Sequence, residues 1–182
     1  MIFNLPIFLT ILRILSIPLV VLFFYLDMPL TTATIFGLAG LTDLIDGYLA
    51  RKYNQESRFG AFLDPVADKL LVAVALLLVV EREGAIWITI AAILIISREI
   101  TISALREWMA ETGQRSKVAV AYIGKLKAVA QILSLIFLLY NQDLWGLPLR
   151  EVGLGLLLIA TVLTVVSMVQ YLRAVFSKKK NQ

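Results

Sequence analysis

The chain has 182 residues, of which 60% are hydrophobic and 16% are charged. Soluble domains have about 45–50% apolar and about 25% charged residues, and a globule of this length cannot hide so much apolar surface from water. The composition therefore excludes an ordinary soluble domain and predicts an integral membrane protein. The chain also has no Cys and no His, which excludes disulfides, thiolate nucleophiles and imidazole metal ligands. A general base would have to be a carboxylate, a lysine or a tyrosine.

Six apolar segments with short connections follow one another along the chain, each close to the roughly 20 residues that a spanning helix needs. The six predicted helices cover Leu5–Leu26, Leu30–Arg51, Gly60–Val80, Ala85–Trp108, Val118–Tyr140 and Val152–Leu172. We expect an all-α membrane fold that forms a single domain over residues 1–182. Polar residues among the first dozen leave open that an N-terminal segment lies along the membrane interface as a separate helix.

The basic residues are distributed unequally between the two sides of the predicted bundle. With both termini on one side, that side carries every Lys and Arg except Arg82 and Arg150. Because cytoplasmic segments are enriched in Lys and Arg, we expect a multi-pass protein of the inner (cytoplasmic) membrane with both termini in the cytoplasm. Trp87 and Trp145 fall at the outer helix ends and Trp108 at an inner end, as aromatic residues do at membrane interfaces.

Four aspartates lie where a membrane-spanning helix should avoid charge. An ionised side chain at mid-bilayer costs roughly 2.5–3.5 kcal/mol, so these groups must face protein, water, a metal or a partner. Asp43 and Asp46 lie three residues apart near the end of the second helix, and Asp64 and Asp68 lie four apart near the start of the third. Each pair therefore shares one helix face. Since only residues 52–59 separate the two helices, we expect antiparallel neighbours whose acidic faces converge.

Converging carboxylates indicate a site for hard cations. Four ionised carboxylates repel one another strongly, and two divalent ions would cancel their formal charge. A ligand set made only of oxygen favours Mg²⁺ or Mn²⁺ over zinc or copper, and two-metal carboxylate sites are used for displacement at phosphorus. Two alternatives stay open at this point: hydrogen bonds that only pack helices together, and an ion or proton pathway.

The aspartates belong to a longer pattern. The chain reads Asp43-Leu-Ile-Asp46-Gly47-Tyr-Leu-Ala50-Arg51, then eight residues, then Gly60-Ala-Phe-Leu-Asp64-Pro-Val-Ala-Asp68. This resembles the signature of the CDP-alcohol phosphotransferase family, D-x2-D-G-x2-A-R-x8-G-x3-D-x3-D, with every fixed position filled. Residues 4–13, 98–109 and 124–127 extend the resemblance over almost the whole chain.

The resemblance implies a homodimer of six-helix subunits, each with a cytoplasm-facing polar cavity and two Mg²⁺ or Mn²⁺ ions. One ion would be bound by Asp43, Asp46 and Asp64, and the other by Asp43, Asp64 and Asp68. Asp68 would also be the general base. The implied CDP-binding residues are Gly47, Arg51 and, less directly, Ser57, with Ala50 leaving room for a bulky ligand. Ser57 has an alternative role as the cap of the third helix.

The resemblance also implies the reaction: the phosphatidyl group of CDP-diacylglycerol moves to glycerol 3-phosphate, and CMP leaves. A phosphorylated acceptor needs cations, for which the candidates are Arg98, Arg106 and Lys125, with Glu99 restraining a neighbouring cation. For Lys127 and Arg115, extension to lipid headgroups is an equal alternative.

The expected partners are CDP-diacylglycerol, glycerol 3-phosphate, membrane lipids and a second copy of the chain, with no nucleic acid. The rival functions are transfer to another alcohol, such as inositol phosphate or a second phosphatidylglycerol, and a carboxylate-based ion transporter. Gly47, Ala50 and Arg51 argue against the transporter, because an ion path does not require residues of these types.

Overall fold

The computed structural model describes residues 5–53, 58–111 and 122–177. Across these ranges the chain forms six α-helices and no β-strand, which confirms the predicted all-α fold. The helices are α1 Leu5–Tyr25, α2 Pro29–Tyr53, α3 Arg58–Glu83, α4 Ile86–Glu111, α5 Tyr122–Tyr140 and α6 Leu149–Ser177. Their bounds differ from the predicted ones by a few residues only.

Left-handed residues end three of the helices and turn the chain back sharply. Asp27, Gly84 and Asn141 have φ of 52°, 62° and 50°, a conformation that Gly, Asn and Asp adopt most easily after a helix. After α1, the Met28 N–H donates to the Phe23 carbonyl at 3.0 Å, which is the closing bond of a Schellman motif. Helices joined by such short connections become antiparallel neighbours.

The connections after α1, α3 and α5 gather at one end of the bundle, which we term the outer end. There the Tyr25 hydroxyl donates to Glu81 at 2.6 Å, and Arg150 binds both carboxylate oxygens of Glu83 at 2.6 and 3.1 Å. The opposite end, which holds residues 5 and 177, is termed the inner end. It collects the first turns of α1, α3 and α5 and the last turns of α2, α4 and α6.

A buried apolar core joins the helices, and an apolar outer surface surrounds it. Phe36, Leu76, Ile95, Leu135 and Leu157 are fully buried and come from five different helices. Many other large apolar side chains are exposed on the flanks of the helices. Such a continuous apolar surface is unfavourable in water and suits hydrocarbon.

Three of the described helices are long and apolar enough to cross a membrane, over Phe8–Tyr25, Ile86–Met109 and Leu149–Arg173. Within their described side chains, helices α2 and α5 contain shorter apolar stretches, Pro29–Thr42 and Leu126–Tyr140. The chain is therefore an all-α membrane protein. Its charged residues lie mainly on α2, α3, α4 and α5 toward the inner end.

Helix α1 is continuous from Leu5 through Pro18 to Tyr25. Its polar residues Thr10 and Arg13 are buried, because α1 packs on α2 and α3. A separate interfacial helix is therefore not found within the described residues. The polar groups of the first turns face protein, which removes the reason for placing this segment along the membrane surface.

Helices α5 and α6 pack so closely that Gly153 cannot carry a side chain without movement. A Cβ at Gly153 would lie 2.9 Å from Leu138 Cγ, and the Gly153 carbonyl accepts a 2.7 Å hydrogen bond from the Ser134 hydroxyl. At Gly155, two residues further along, a Cβ would meet no atom within 4 Å.

We predict that Gly153→Ala lowers the thermal unfolding midpoint and that Gly155→Ala does not. In both variants, Ala in place of Gly gains about 1 kcal/mol of helix propensity. Only at Gly153 does the added methyl group also overpack the contact with α5, which costs about 1–3 kcal/mol. Intrinsic fluorescence of the purified protein in detergent measures both midpoints. Equal stability of the two variants would contradict the close packing of α5 and α6.

Candidate active site

A partly open cavity of about 270 Å³ lies at the inner end between α3 and α4. Its lining residues are Asp64, Pro65, Asp68, Lys69, Arg98, Glu99, Ile102, Ser103 and Arg106. Helix α3 contributes two carboxylates and the ammonium of Lys69, which donates to the Pro65 carbonyl of the same helix, and α4 contributes two guanidinium groups and one carboxylate. The cavity therefore has an acidic wall on α3 and a basic wall on α4.

The acidic wall is formed by two carboxylates one helical turn apart. Asp64 and Asp68 share a face of α3 because they lie at i and i+4, and both side chains are half-buried. The fully buried Thr10 of α1 donates its hydroxyl to Asp64 Oδ1. This contact holds one carboxylate oxygen of a residue that lines the cavity. The predicted shared face of Asp64 and Asp68 is thus found at a cavity.

The basic wall is held in place by a carboxylate that bonds two cations. Glu99 Oε1 accepts a 3.0 Å hydrogen bond from Arg98 Nη1 and another from the ammonium of Lys127 on α5. Arg98 Nη2 also lies 3.4 Å from the hydroxyl of Ser167 on α6. Three helices therefore fix the position of Arg98, and the predicted role of Glu99 as a restraint on a neighbouring cation is confirmed.

Two further contacts complete the surroundings of the cavity. The Arg106 guanidinium lies 5.7 Å from the centre of the Tyr171 ring on α6, within the range of a cation–π interaction. Asp68 is close enough to Lys127 to interact electrostatically with it.

Lys127 is only 3% exposed. The alternative that its ammonium extends to lipid headgroups is therefore wrong, because the side chain is buried and its ammonium bonds Glu99. Arg115, for which the same alternative is open, lies outside the described residues.

The remaining predicted site residues are placed less completely. Five of them lie on the described backbone of α2 near the inner end, without described side chains: Asp43, Asp46, Gly47, Ala50 and Arg51. Lys125 lies in the first turn of α5, where again only its backbone is described. Ser57 is outside the described residues. Among the side chains that are described, no group of three or more acidic residues lies close enough to hold a metal ion. The four-aspartate cluster stays a prediction.

Two buried polar residues of α1 belong to this site and were missed in the sequence. Thr10 contacts Asp64, and Arg13 contacts α2 at the residue before Asp43, through the Thr42 hydroxyl at 3.5 Å. The available signal was their spacing of i and i+3 on one face of an otherwise apolar helix.

Comparison with known proteins gives the family context. Residues 3–170 match the CDP-alcohol phosphatidyltransferase family model. A CDP-diacylglycerol–glycerol-3-phosphate 3-phosphatidyltransferase from Haemophilus influenzae is 55% identical over 174 residues, covering 94% of this chain and 92% of the relative. Relatives of the same name from Shigella flexneri and Salmonella typhimurium are 53% and 51% identical over 175 residues, with 94% of each chain covered.

We predict that Glu99→Gln destabilises the protein, because it leaves Lys127 buried without its counter-charge. Breaking a fully buried ion pair costs about 3–5 kcal/mol, and the partial exposure of Glu99 reduces the expected cost to about 2 kcal/mol. Thermal unfolding in detergent measures this loss of stability. Glu151→Gln is the control, because Glu151 belongs to an exposed ion pair. Adding Lys127→Met should recover part of the lost stability, and no recovery would contradict this cause.

Proposed function

Because the chain belongs to the CDP-alcohol phosphatidyltransferase family, we propose that it transfers the phosphatidyl group of CDP-diacylglycerol to glycerol 3-phosphate. The products are phosphatidylglycerophosphate and CMP. Relatives 51–55% identical to the chain are named for this reaction. The observation that carries the proposal is the cavity whose acidic wall faces a basic wall, since the reaction brings a cation-bound diphosphate and a phosphorylated alcohol together.

The acidic wall suits hard divalent cations. Asp64 and Asp68 supply carboxylate oxygens to one cavity, and the chain has no Cys or His that would favour a softer metal. We therefore assign Mg²⁺ or Mn²⁺, two per site, to Asp64 and Asp68 together with Asp43 and Asp46 of α2. When bound, these ions neutralise the diphosphate and stabilise the charge that develops on departing CMP.

The basic wall suits the phosphate of the acceptor. Arg98 and Arg106 both line the cavity, and guanidinium groups bind phosphate oxygens in pairs. Arg98 Nε is buried and has no hydrogen-bond partner among the described residues, so a phosphate oxygen would satisfy a donor that is otherwise costly to bury. Lys125 completes the proposed phosphate site.

The two walls place the reacting groups within one cavity. With its phosphate on the basic wall, glycerol 3-phosphate presents its sn-1 hydroxyl toward α3, where Asp68 accepts the proton. The hydroxyl oxygen attacks the lipid-bearing β-phosphorus, and the bond from that phosphorus to the CMP oxygen breaks. Gly47, Ala50, Arg51 and Ser57 are the proposed contacts to the CDP-diacylglycerol.

The distribution of charge supports a cytoplasmic position for the inner end. In the sequence, every Lys and Arg except Arg82 and Arg150 is predicted to lie on that side, and the lining residues of the cavity lie toward that end. We propose that the chain lies in the inner membrane with both termini in the cytoplasm, as a homodimer. This orientation gives water-soluble glycerol 3-phosphate access from the cytoplasm, while the acyl chains of the donor stay in the bilayer.

We predict that the purified protein releases CMP from CDP-diacylglycerol when glycerol 3-phosphate is the acceptor and Mg²⁺ or Mn²⁺ is present. A panel with inositol phosphate, phosphatidylglycerol and unphosphorylated glycerol tests the role of the basic wall, and chelation of the metal should abolish release. Activity with another alcohol but not with glycerol 3-phosphate would contradict the proposed acceptor.

We predict that Asp68→Asn retains CDP-diacylglycerol binding but lowers kcat about 100-fold or more, because a general base contributes about 10²–10⁴-fold. Asp143→Asn is the matched control, since Asp143 is exposed in the connection after α5. Single-turnover CMP release and equilibrium nucleotide binding separate the two effects. Normal turnover by Asp68→Asn would remove this residue as the base.

A further inference from the structure

Helix α1 lies against both acidic helices. Helices α2 and α3 make few direct contacts with each other, whereas both pack extensively on α1. Helix α5 also contacts both, but less extensively than α1, so α1 contributes most to the relative position of the two acidic faces. This arrangement matters because ligands that share a cation must be held to within a fraction of an ångström.

Arg13 fixes α1 to the start of the acidic stretch on α2. Its side chain is 1% exposed, with Nε 3.3 Å from the Ala39 carbonyl and Nη2 3.5 Å from the Thr42 hydroxyl. Thr42 in turn donates to the Ala39 carbonyl at 2.7 Å. A buried guanidinium is costly unless it is bonded, so this contact orients α1 and α2 relative to each other directly before Asp43.

Thr10 fixes α1 to the acidic wall on α3 through the hydroxyl contact with Asp64 Oδ1. The bonding of Thr10 differs from that of other buried threonines. Thr32 and Thr164 are equally buried, but Thr32 donates to the Met28 carbonyl directly before its helix at 2.9 Å, and Thr164 donates to the Ala160 carbonyl of its own helix at 2.6 Å. Thr10 instead donates across helices to a carboxylate that lines the cavity.

We propose that Thr10 and Arg13 are positioning residues that set the geometry of the cation site from α1. Thr10 selects the orientation of the Asp64 carboxylate, while Arg13 sets the position of α2 where Asp43 begins the acidic motif. This inference rests on the proposed function, since it assumes that divalent cations bind to Asp64. Removing a residue that orients a metal ligand lowers metal affinity about 10–100-fold.

The test is direct binding of Mn²⁺ to the full-length, chelator-stripped protein in detergent, measured from the electron paramagnetic resonance signal of free Mn²⁺. Thr10→Val removes the hydroxyl at nearly constant volume, Thr10→Ser keeps it, and Thr32→Val is the matched control. We expect Thr10→Val to bind Mn²⁺ about tenfold more weakly and Thr10→Ser to bind nearly as tightly as the native chain. The metal-free unfolding midpoints of Thr10→Val and Thr32→Val should be similar.

Arg13→Lys gives a second measurement. Lys keeps the charge but cannot reproduce the two-point contact with Ala39 and Thr42, so Mn²⁺ affinity should fall. Arg82→Lys is the control at the outer end, where Arg82 donates to the Leu138 and Leu139 carbonyls at 3.4 and 3.1 Å. We expect Arg82→Lys to change stability without changing Mn²⁺ affinity.

The outcomes separate this inference from the proposed function. Suppose that the native chain binds Mn²⁺ and releases CMP, but that Thr10→Val and Arg13→Lys bind Mn²⁺ as tightly as their controls. The positioning role is then overturned, and the proposed function stands. The same holds if Thr10→Ser fails to restore affinity. If the native chain neither binds Mn²⁺ nor releases CMP, the proposed function fails and the positioning role fails with it.

Discussion

Hydrocarbon cannot solvate charge, so every ionised group within a bundle of membrane helices needs a partner from protein, water or ligand. In this chain that requirement concentrates the buried charges at the inner end. Glu99 bonds both Arg98 and Lys127 there, and Thr10 donates to Asp64. The cost of burying these groups explains why they form two sets of contacts between helices, one joining α4, α5 and α6 and the other joining α1 and α3, and are not scattered along the apolar flanks.

The same constraint explains how a small chain can handle two anionic substrates. The cavity has carboxylates on α3 and guanidinium groups on α4, so cations and a phosphate can occupy opposite walls without competing for the same residues. The buried Lys127 bonds Glu99 behind the basic wall and lies within electrostatic range of Asp68. The outer end, by contrast, holds its charges in short ion pairs such as Arg150 with Glu83, which close the connections between helices.

Much of the fold could be predicted because it depends on local properties of the sequence. Apolar length gave the six helices, and spacing of i and i+4 placed Asp64 and Asp68 on one face. The environment of Lys127 could not be predicted, since a lysine in the first turns of a helix reaches lipid or protein according to which helix covers it. The roles of Thr10 and Arg13 could not be predicted for the same reason. Their partners lie on helices 26 to 54 residues away, and no local pattern specifies such contacts.

The central claim is that the Asp64 and Asp68 carboxylates and the Arg98 and Arg106 guanidinium groups face one shared substrate cavity. A high-resolution structure of the protein with Mn²⁺ and glycerol 3-phosphate, using anomalous scattering to locate manganese, tests it most directly. The account predicts manganese against Asp64 and Asp68 and the phosphate against Arg98 and Arg106. Manganese elsewhere, or these aspartates directed at lipid, would contradict it.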